Sequence, residues 1–253
     1  MGSRRQTTQP KSADSAVLAF PPEGIRFLRD LKKNNNRDWF RERKDEYVKI
    51  VEEPMKNIVL AVSAECNSHG LPLFPKDKSP VMRVYRDIRF SKDKRPYKTH
   101  VAAELRRGFN VDSWGGLYLH ISPDQSFVAS GFWEPERSTL LPWREALIKN
   151  PKEFEEMHRA LVNEGLDFSS EYALSSMPRG FANYADQPFA KWLKLTSFIL
   201  SQALKPADYT APSFVQNVVA FALASRPLLE YGWKMEDANP QATRKPAAEH
   251  DFL

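Results

Sequence analysis

Residues 101–133 constrain the fold more than any other part of the chain. Apolar side chains recur at every second position through 117–122, and a second run at 127–133 follows the short turn Pro123-Asp124-Gln125. Gly115-Gly116 leads into the first of these runs. Successive strand side chains point to opposite faces, so alternation flanking a short polar turn is the mark of a β-hairpin. Residues 101–105 and 82–90 read as further strands. The expectation is an antiparallel sheet of three to five strands in the middle of the chain.

On both sides of this block the apolar period lengthens to three or four residues. Pro21-Pro22-Glu23 precedes Ile25, Leu28 and Leu31, and Asn34-Asn35-Asn36 then supplies a turn and a helix cap. Trp39, Phe40, Tyr47, Ile50 and Val51 keep helical spacing. Pro54 suits a first helical turn, where its missing N–H costs nothing. Met55, Ile58, Val59, Val62 and Cys66 mark that helix's buried stripe, and His69-Gly70 ends it. After the Pro-interrupted stretch 72–80 and the strands, helices are expected at 138–149, 151–163, 188–204 and 212–224. Helices, then strands, then helices define an α+β class, with both helical groups packed on the sheet. The reading places one domain at 19–236. The Pro/Ala/polar segments 1–18 and 237–253 lack periodicity and are expected to be disordered tails.

Composition narrows the function classes. At 253 residues and 42% hydrophobic, with six Trp, 16 Phe and eight Tyr, the chain can bury a substantial core. The single Cys66 excludes an internal disulfide framework and a Cys-rich zinc site. The five histidines show no His-Glu-x-x-His pattern, and no Gly-rich phosphate loop follows a strand, so no metal or cofactor is expected. No run approaches the roughly 18 apolar residues of a membrane span. Residues 1–16 are polar without an apolar stretch, and Gln6 stands where a myristoylation signal needs Ser or Thr, so the expected location is the cytoplasm. A formal charge of +5 favours anionic partners.

That charge has an obvious focus. Residues 83–100 hold seven Lys or Arg against two Asp, interleaved with Tyr85, Phe90 and Tyr97. On a strand over 82–90, Arg83, Tyr85, Asp87 and Arg89 share one face, while Arg86 falls on the other with Val84, Ile88 and Phe90. A guanidinium keeps its charge, so a buried Arg86 needs a carboxylate or a bound anion. Ser91-Lys92-Asp93-Lys94-Arg95-Pro96 reads as a basic turn. On the strand at 117–122, Tyr118, His120 and Ser122 face away from Leu117, Leu119 and Ile121. An imidazole between two hydroxyls there is a candidate acid or base.

The run 86–100, Arg-Asp-Ile-Arg-Phe-Ser-Lys-Asp-Lys-Arg-Pro-Tyr-Lys-Thr-His, resembles the signature of a widespread uncharacterised family, a domain of unknown function in bacteria and fungi. The resemblance extends to Asn-Arg-Asp-Trp-Phe at 36–40, Gly-Gly-Leu-Tyr-Leu-His-Ile at 115–121 and Gly-Phe-Trp-Glu-Pro-Glu at 131–136. It covers about residues 20–235. Ser122-Pro123-Asp124 departs from the acidic, Gly-rich turn of that pattern. The resemblance implies no established activity and assigns no catalytic residue.

Three functional readings follow. The first is a basic sheet-face pocket for a small phosphate- or carboxylate-bearing ligand. Arg83, Arg86, Arg89, Lys94, Lys98, Tyr97 and Tyr118 would bind it, Arg86 and Arg89 as a clamp, with His120 or His100 as acid/base. The second is a nucleic-acid-binding module using the same basic, aromatic segment. The third is a structural or adaptor protein.

Overall fold

A computed structural model describes residues 18–76, 79–108, 113–135 and 137–238. The predicted tails therefore lie almost wholly outside the described residues.

The chain begins with α1 (Pro22–Lys33), α2 (Arg37–Glu42) and α3 (Lys44–Tyr47), which passes through a π-helical turn into α4 (Glu53–Ser68). The three consecutive asparagines do three different things. Asn34 is the C-cap of α1, Asn36 accepts the Trp39 N–H as N-cap of α2, and Asn35 reaches elsewhere. Gly70 adopts φ +72 just after α4, the left-handed geometry a glycine takes without a Cβ penalty.

Five antiparallel strands follow the simplest order, β1-β2-β3-β4-β5. They are β1 (Leu73–Pro75), β2 (Val101–Arg107), β3 (Gly116–Ile121), β4 (Ser126–Phe132) and β5 (Phe198–Leu204). Between β4 and β5 lie α5 (Arg137–Lys149), α6 (Pro151–Asn163) and the short α7 (Ala190–Leu193). After β5 come α8 (Pro206–Tyr209), α9 (Phe214–Ala224) and α10 (Arg226–Ala238). The α+β expectation is met, with helices from both ends of the chain joined to the sheet in one core.

Four stretches differ from the sequence expectation. Residues 82–90 form no strand; they belong to an irregular excursion described below. Residues 188–204 are a short helix followed by β5, which zips along the whole of β4 from Ser126↔Leu204 to Phe132↔Phe198. An apolar run such as Phe198-Ile199-Leu200 does not distinguish helix from strand by its period, and the otherwise open edge of β4 decides for strand. The Pro-interrupted stretch after α4 contributes the three-residue edge strand β1, where Pro75 is tolerated. Residues 226–238, given no element from the sequence, form a helix that buries Leu228, Leu229, Tyr231 and Trp233.

The two faces of the sheet differ. Val101, Ala103, Leu105, Leu117, Leu119, Ile121, Val128, Phe132 and Leu200 belong to the main core with the helices. Gly115 and Gly232 both abut the Phe132 ring, where an added Cβ would stand 2.2 and 2.0 Å from ring carbons. The opposite face carries a smaller cluster of Ala102, Tyr118, Ala129 and Ile199, with Met82, Phe127, Trp133 and Tyr172 against it.

Glu236 fastens α10 to the β2–β3 connection. Its carboxylate, 7% exposed, accepts from the Ser113 hydroxyl (2.6 Å), the Trp114 N–H (2.6 Å) and the Gly115 N–H (3.2 Å). Burial raises its pKa against the pull of those donors and of nearby Arg107.

Candidate functional site

The basic excursion leaves and rejoins the sheet at one place. The Met82 N–H bonds the Ala102 carbonyl on the outer edge of β2, and the chain returns to begin β2 at Val101. Its two legs are zipped by an isolated bridge at Tyr85 and Tyr97, flanked by Arg86 N–H to Pro96 C=O (2.9 Å) and Lys98 N–H to Val84 C=O (2.7 Å).

Beyond the bridge, side chains replace the ladder. Asp87 accepts the backbone N–H of Arg89 (3.1 Å) and grips its guanidinium through Nε and Nη2. Asp93 repeats the device on Arg95, accepting its N–H (3.0 Å) and its guanidinium. Aspartates that bond the N–H two residues on compete with a strand ladder, which is why apolar alternation misreads 82–90. Arg86 adds bonds to Asp93 (2.7 Å) and to the Arg95 carbonyl (3.3 Å), and Lys94 Nζ donates to the Ile88 carbonyl (2.9 Å). The side-chain bonds of Arg89 hold the Asp87 carboxyl down at about 2, and those of Arg95, then Arg86, hold Asp93 well below its ordinary value. Both aspartates stay ionised across the physiological range.

The base of the excursion is pinned to the first helices. Asn35 makes two bonds to the main chain of Tyr97, and the Phe40 ring stacks on Tyr97 at 4.1 Å. Tyr85 continues the stack at 5.4 Å from Tyr97. Asn35, just before the Asn-Arg-Asp-Trp-Phe motif, and Phe40, its last residue, thus anchor the basic run about 60 residues later.

Beneath the excursion lies a cleft of about 200 Å³ lined by Lys76, Ser79, Met82, Arg83, Lys98 and Glu104, among others. Lys98 is only 7% exposed. Glu104 sits on β2 between Lys76 (3.0 Å) and Arg106 (2.6 Å). The described lining residues include three cations, Lys76, Arg83 and Lys98, and one carboxylate, Glu104.

Next to Lys98 is a histidine pair. His100 and His120 have ring centroids 4.3 Å apart, and Phe127 stacks on the other side of His120 at 4.9 Å. The Tyr118 hydroxyl lies 3.1 Å from His120 Nδ1, a hydrogen bond whose direction follows the imidazole tautomer. Ser122 does not complete the arrangement; its hydroxyl accepts from the Asp124 and Gln125 N–H groups. His120 is 5% exposed, and burial, then the charges of His100 and Lys98, pull its pKa from 6.5 down to about 3. It is neutral at pH 7.

The nine residues singled out from the sequence therefore occupy three places. Arg83 and Lys98 share the cleft, with Tyr118, His100 and His120 grouped beside Lys98. Arg86, Arg89 and Lys94 lie at the tip, held by the loop's own carboxylates and carbonyls, so the clamp expected of Arg86 and Arg89 already grips Asp93 and Asp87. Tyr97 is buried at the base. Sequence reasoning missed Lys76 and Glu104, which face the cleft only because β1 and β2 pair there, and Asn35, read simply as part of a turn. Among the described residues no cluster of three His, Cys, Asp or Glu suits a metal ion, and no helix is long and apolar enough to cross a membrane.

Fold and cleft together define an α+β protein with a helix-covered antiparallel sheet and a basic excursion folded over one sheet edge. The chain belongs to the DUF2461 family of conserved hypothetical proteins, which it matches over residues 23–231. No curated protein and no solved structure matches it.

Proposed function

We propose that this protein binds a small anion bearing a phosphate or carboxylate in the cleft between the outer edge of β2 and the excursion. The observation that carries this reading is the lining itself. Lys98, nearly removed from solvent, converges with Lys76 and Arg83 on a space of ligand size, against Glu104 alone among the described lining residues. A phosphate or carboxylate in the cleft would be drawn to this group of cations, and Arg83 offers planar donors suited to phosphate or carboxylate oxygens.

The same geometry argues for binding over proton-transfer chemistry. A general base works best with a pKa near the operating pH. His120, pulled to about 3, is always available to accept a proton but has little driving force to do so. Its role in this reading is a neutral hydrogen-bonding wall, shared with Tyr118, behind the cationic cleft.

The test is thermal unfolding with inorganic phosphate, sugar phosphates, nucleotides and dicarboxylates, on wild type and Lys98→Met. A ligand at 100 times its dissociation constant stabilises the fold by roughly 2.7 kcal/mol, a readable rise in midpoint. The expected result is a shift in wild type that disappears in a folded Lys98→Met. A shift that survives Lys98→Met, or none with any anion, overturns the reading.

A further inference from the structure

The seven Lys and Arg of residues 83–100 exceed its two Asp by five, which equals the formal charge of the whole chain, +5. The rest of the sequence is electrically balanced. The same excursion holds both aromatic rings found among the exposed large hydrophobic side chains of the described residues: Phe90 at its tip, 93% exposed, and Tyr85 at its base, 49% exposed. The other members of that group, Leu60, Leu141, Val162 and Leu174, are aliphatic. We propose that the outer surface of the excursion is a binding edge for single-stranded nucleic acid, with Phe90 and Tyr85 as stacking platforms and Arg89, Lys92 and Arg95 as phosphate contacts. This surface is separate from the cleft, and the proposal stands independently of the reading given to it.

The geometry suits that occupant in three respects. The rings are presented rather than mobile ornaments: Tyr85 is the outermost member of the Phe40–Tyr97–Tyr85 stack, and the Asp87 and Asp93 forks fix the tip around Phe90. The guanidiniums are oriented without being exhausted. Arg89 and Arg95 each give an aspartate Nε and Nη2 and retain further N–H donors, and the Arg89 guanidinium stands 5.9 Å from the Phe90 ring centroid. Lys92 is exposed. Aromatic rings interleaved with cations bind single strands because every base has a face to stack and every nucleotide a phosphate to neutralise.

An anionic membrane fits less well. The two rings lie at opposite ends of the excursion, five residues and up to roughly 17 Å of chain apart. A planar bilayer meeting the tip would engage Phe90 alone and press Asp87 and Asp93 towards its own negative surface, whereas a linear polymer can touch both rings in turn.

The experiment is fluorescence anisotropy of the full chain with labelled 12-mers of oligo(dT) and oligo(U) and a duplex control, at 50 and 200 mM salt. Phe90→Ala and Tyr85→Ala are run alongside wild type, with anionic phosphatidylserine vesicles in a parallel sedimentation assay. The expected result is single-strand binding that weakens roughly twentyfold over that salt interval, as three neutralised phosphates require. Phe90→Ala, at a fully exposed position and with unchanged thermal midpoint, should lose a further five- to hundredfold, about the value of one base stack. Absence of binding at 50 mM salt, equal affinity for duplex, indifference to both ring deletions, or binding to vesicles in place of oligonucleotides would each overturn the proposal.

Discussion

Asn35 holds the main chain of Tyr97 at both polar groups: its side-chain carbonyl accepts the Tyr97 N–H at 3.0 Å, and its amide donates to the Tyr97 carbonyl at 2.9 Å. A side chain that pairs with a backbone in this way substitutes for a neighbouring strand. The residues are 62 positions apart, so one short amide fixes where the basic excursion meets the helices.

Removing that amide should loosen the excursion without unfolding the protein. Asn35→Ala forfeits two hydrogen bonds worth about 0.5–1.5 kcal/mol each. The expected loss is about 1–3 kcal/mol in urea unfolding, with faster amide exchange at Arg86 and Lys98, whose N–H groups zip the legs. Asn35→Asp keeps the acceptor and loses the donor, and should fall between the two.

Acid should weaken the fold through His120. Its folded pKa, about 3, lies below the 6.5 of the free imidazole, so between these values the unfolded chain binds more protons than the folded one. The stabilisation is complete above pH 6.5 and is lost as pH falls towards 3. Between pH 7 and 5, where most carboxylates have yet to titrate, wild type should lose about 2 kcal/mol beyond what His120→Asn loses. Urea denaturation of both proteins at the two pH values measures it; parallel behaviour would refute the assignment.

The Glu236 carboxylate accepts from Ser113 Oγ, Trp114 N–H and Gly115 N–H together. Glu236→Ala leaves the Trp114 and Gly115 N–H groups without this acceptor and Ser113 with only a long bond to the Gly115 carbonyl (3.4 Å), and should cost about 2 kcal/mol or more, since each buried unsatisfied group costs roughly 1–3 kcal/mol. Glu236→Gln retains one acceptor oxygen and should cost less. Chemical denaturation distinguishes them, and equal stabilities would mean the contact contributes little.

Gly232→Ala sets two effects against each other. Alanine is favoured over glycine by about 1 kcal/mol inside a helix. Here its methyl would meet the Phe132 ring at 2.0 Å, and overpacking of a filled core costs about 1–3 kcal/mol. The collision should win, giving net destabilisation and altered near-ultraviolet circular dichroism from the adjacent Trp143, whose ring lies 5.0 Å from that of Phe132.

The parts legible in the sequence were those where one local force dominates. Residues 117–122 place an apolar side chain at every second position on the face that meets the helices, and with the turn at 123–125 they marked the hairpin of β3 and β4, which formed as expected. Asn36 and Pro54 acted at helix starts as their chemistry dictates. The rest depended on distant partners. Residues 198–204 become a strand because β4 offers an edge, and 82–90 fails to become one because Asp87 and Asp93 take up neighbouring N–H groups. At the site, composition located the cationic segment, and the strand alternation kept Tyr118 and His120 on one side. It could not separate the cations facing the cleft from those tied down at the tip, since that division is made by two Asp-x-Arg forks.

The position of β5 governs how this chain can be completed. Strands β2 to β4 follow one another closely, but the partner of β4 arrives only after residue 197, behind three helices. During synthesis β4 emerges with a bare row of N–H and C=O groups and waits for a strand not yet made. Any product truncated between β4 and β5 keeps that edge exposed, a template for pairing with another copy. The final quarter of the polypeptide thus acts as a closing seam, and its loss should turn a self-contained sheet into a nucleus for aggregation.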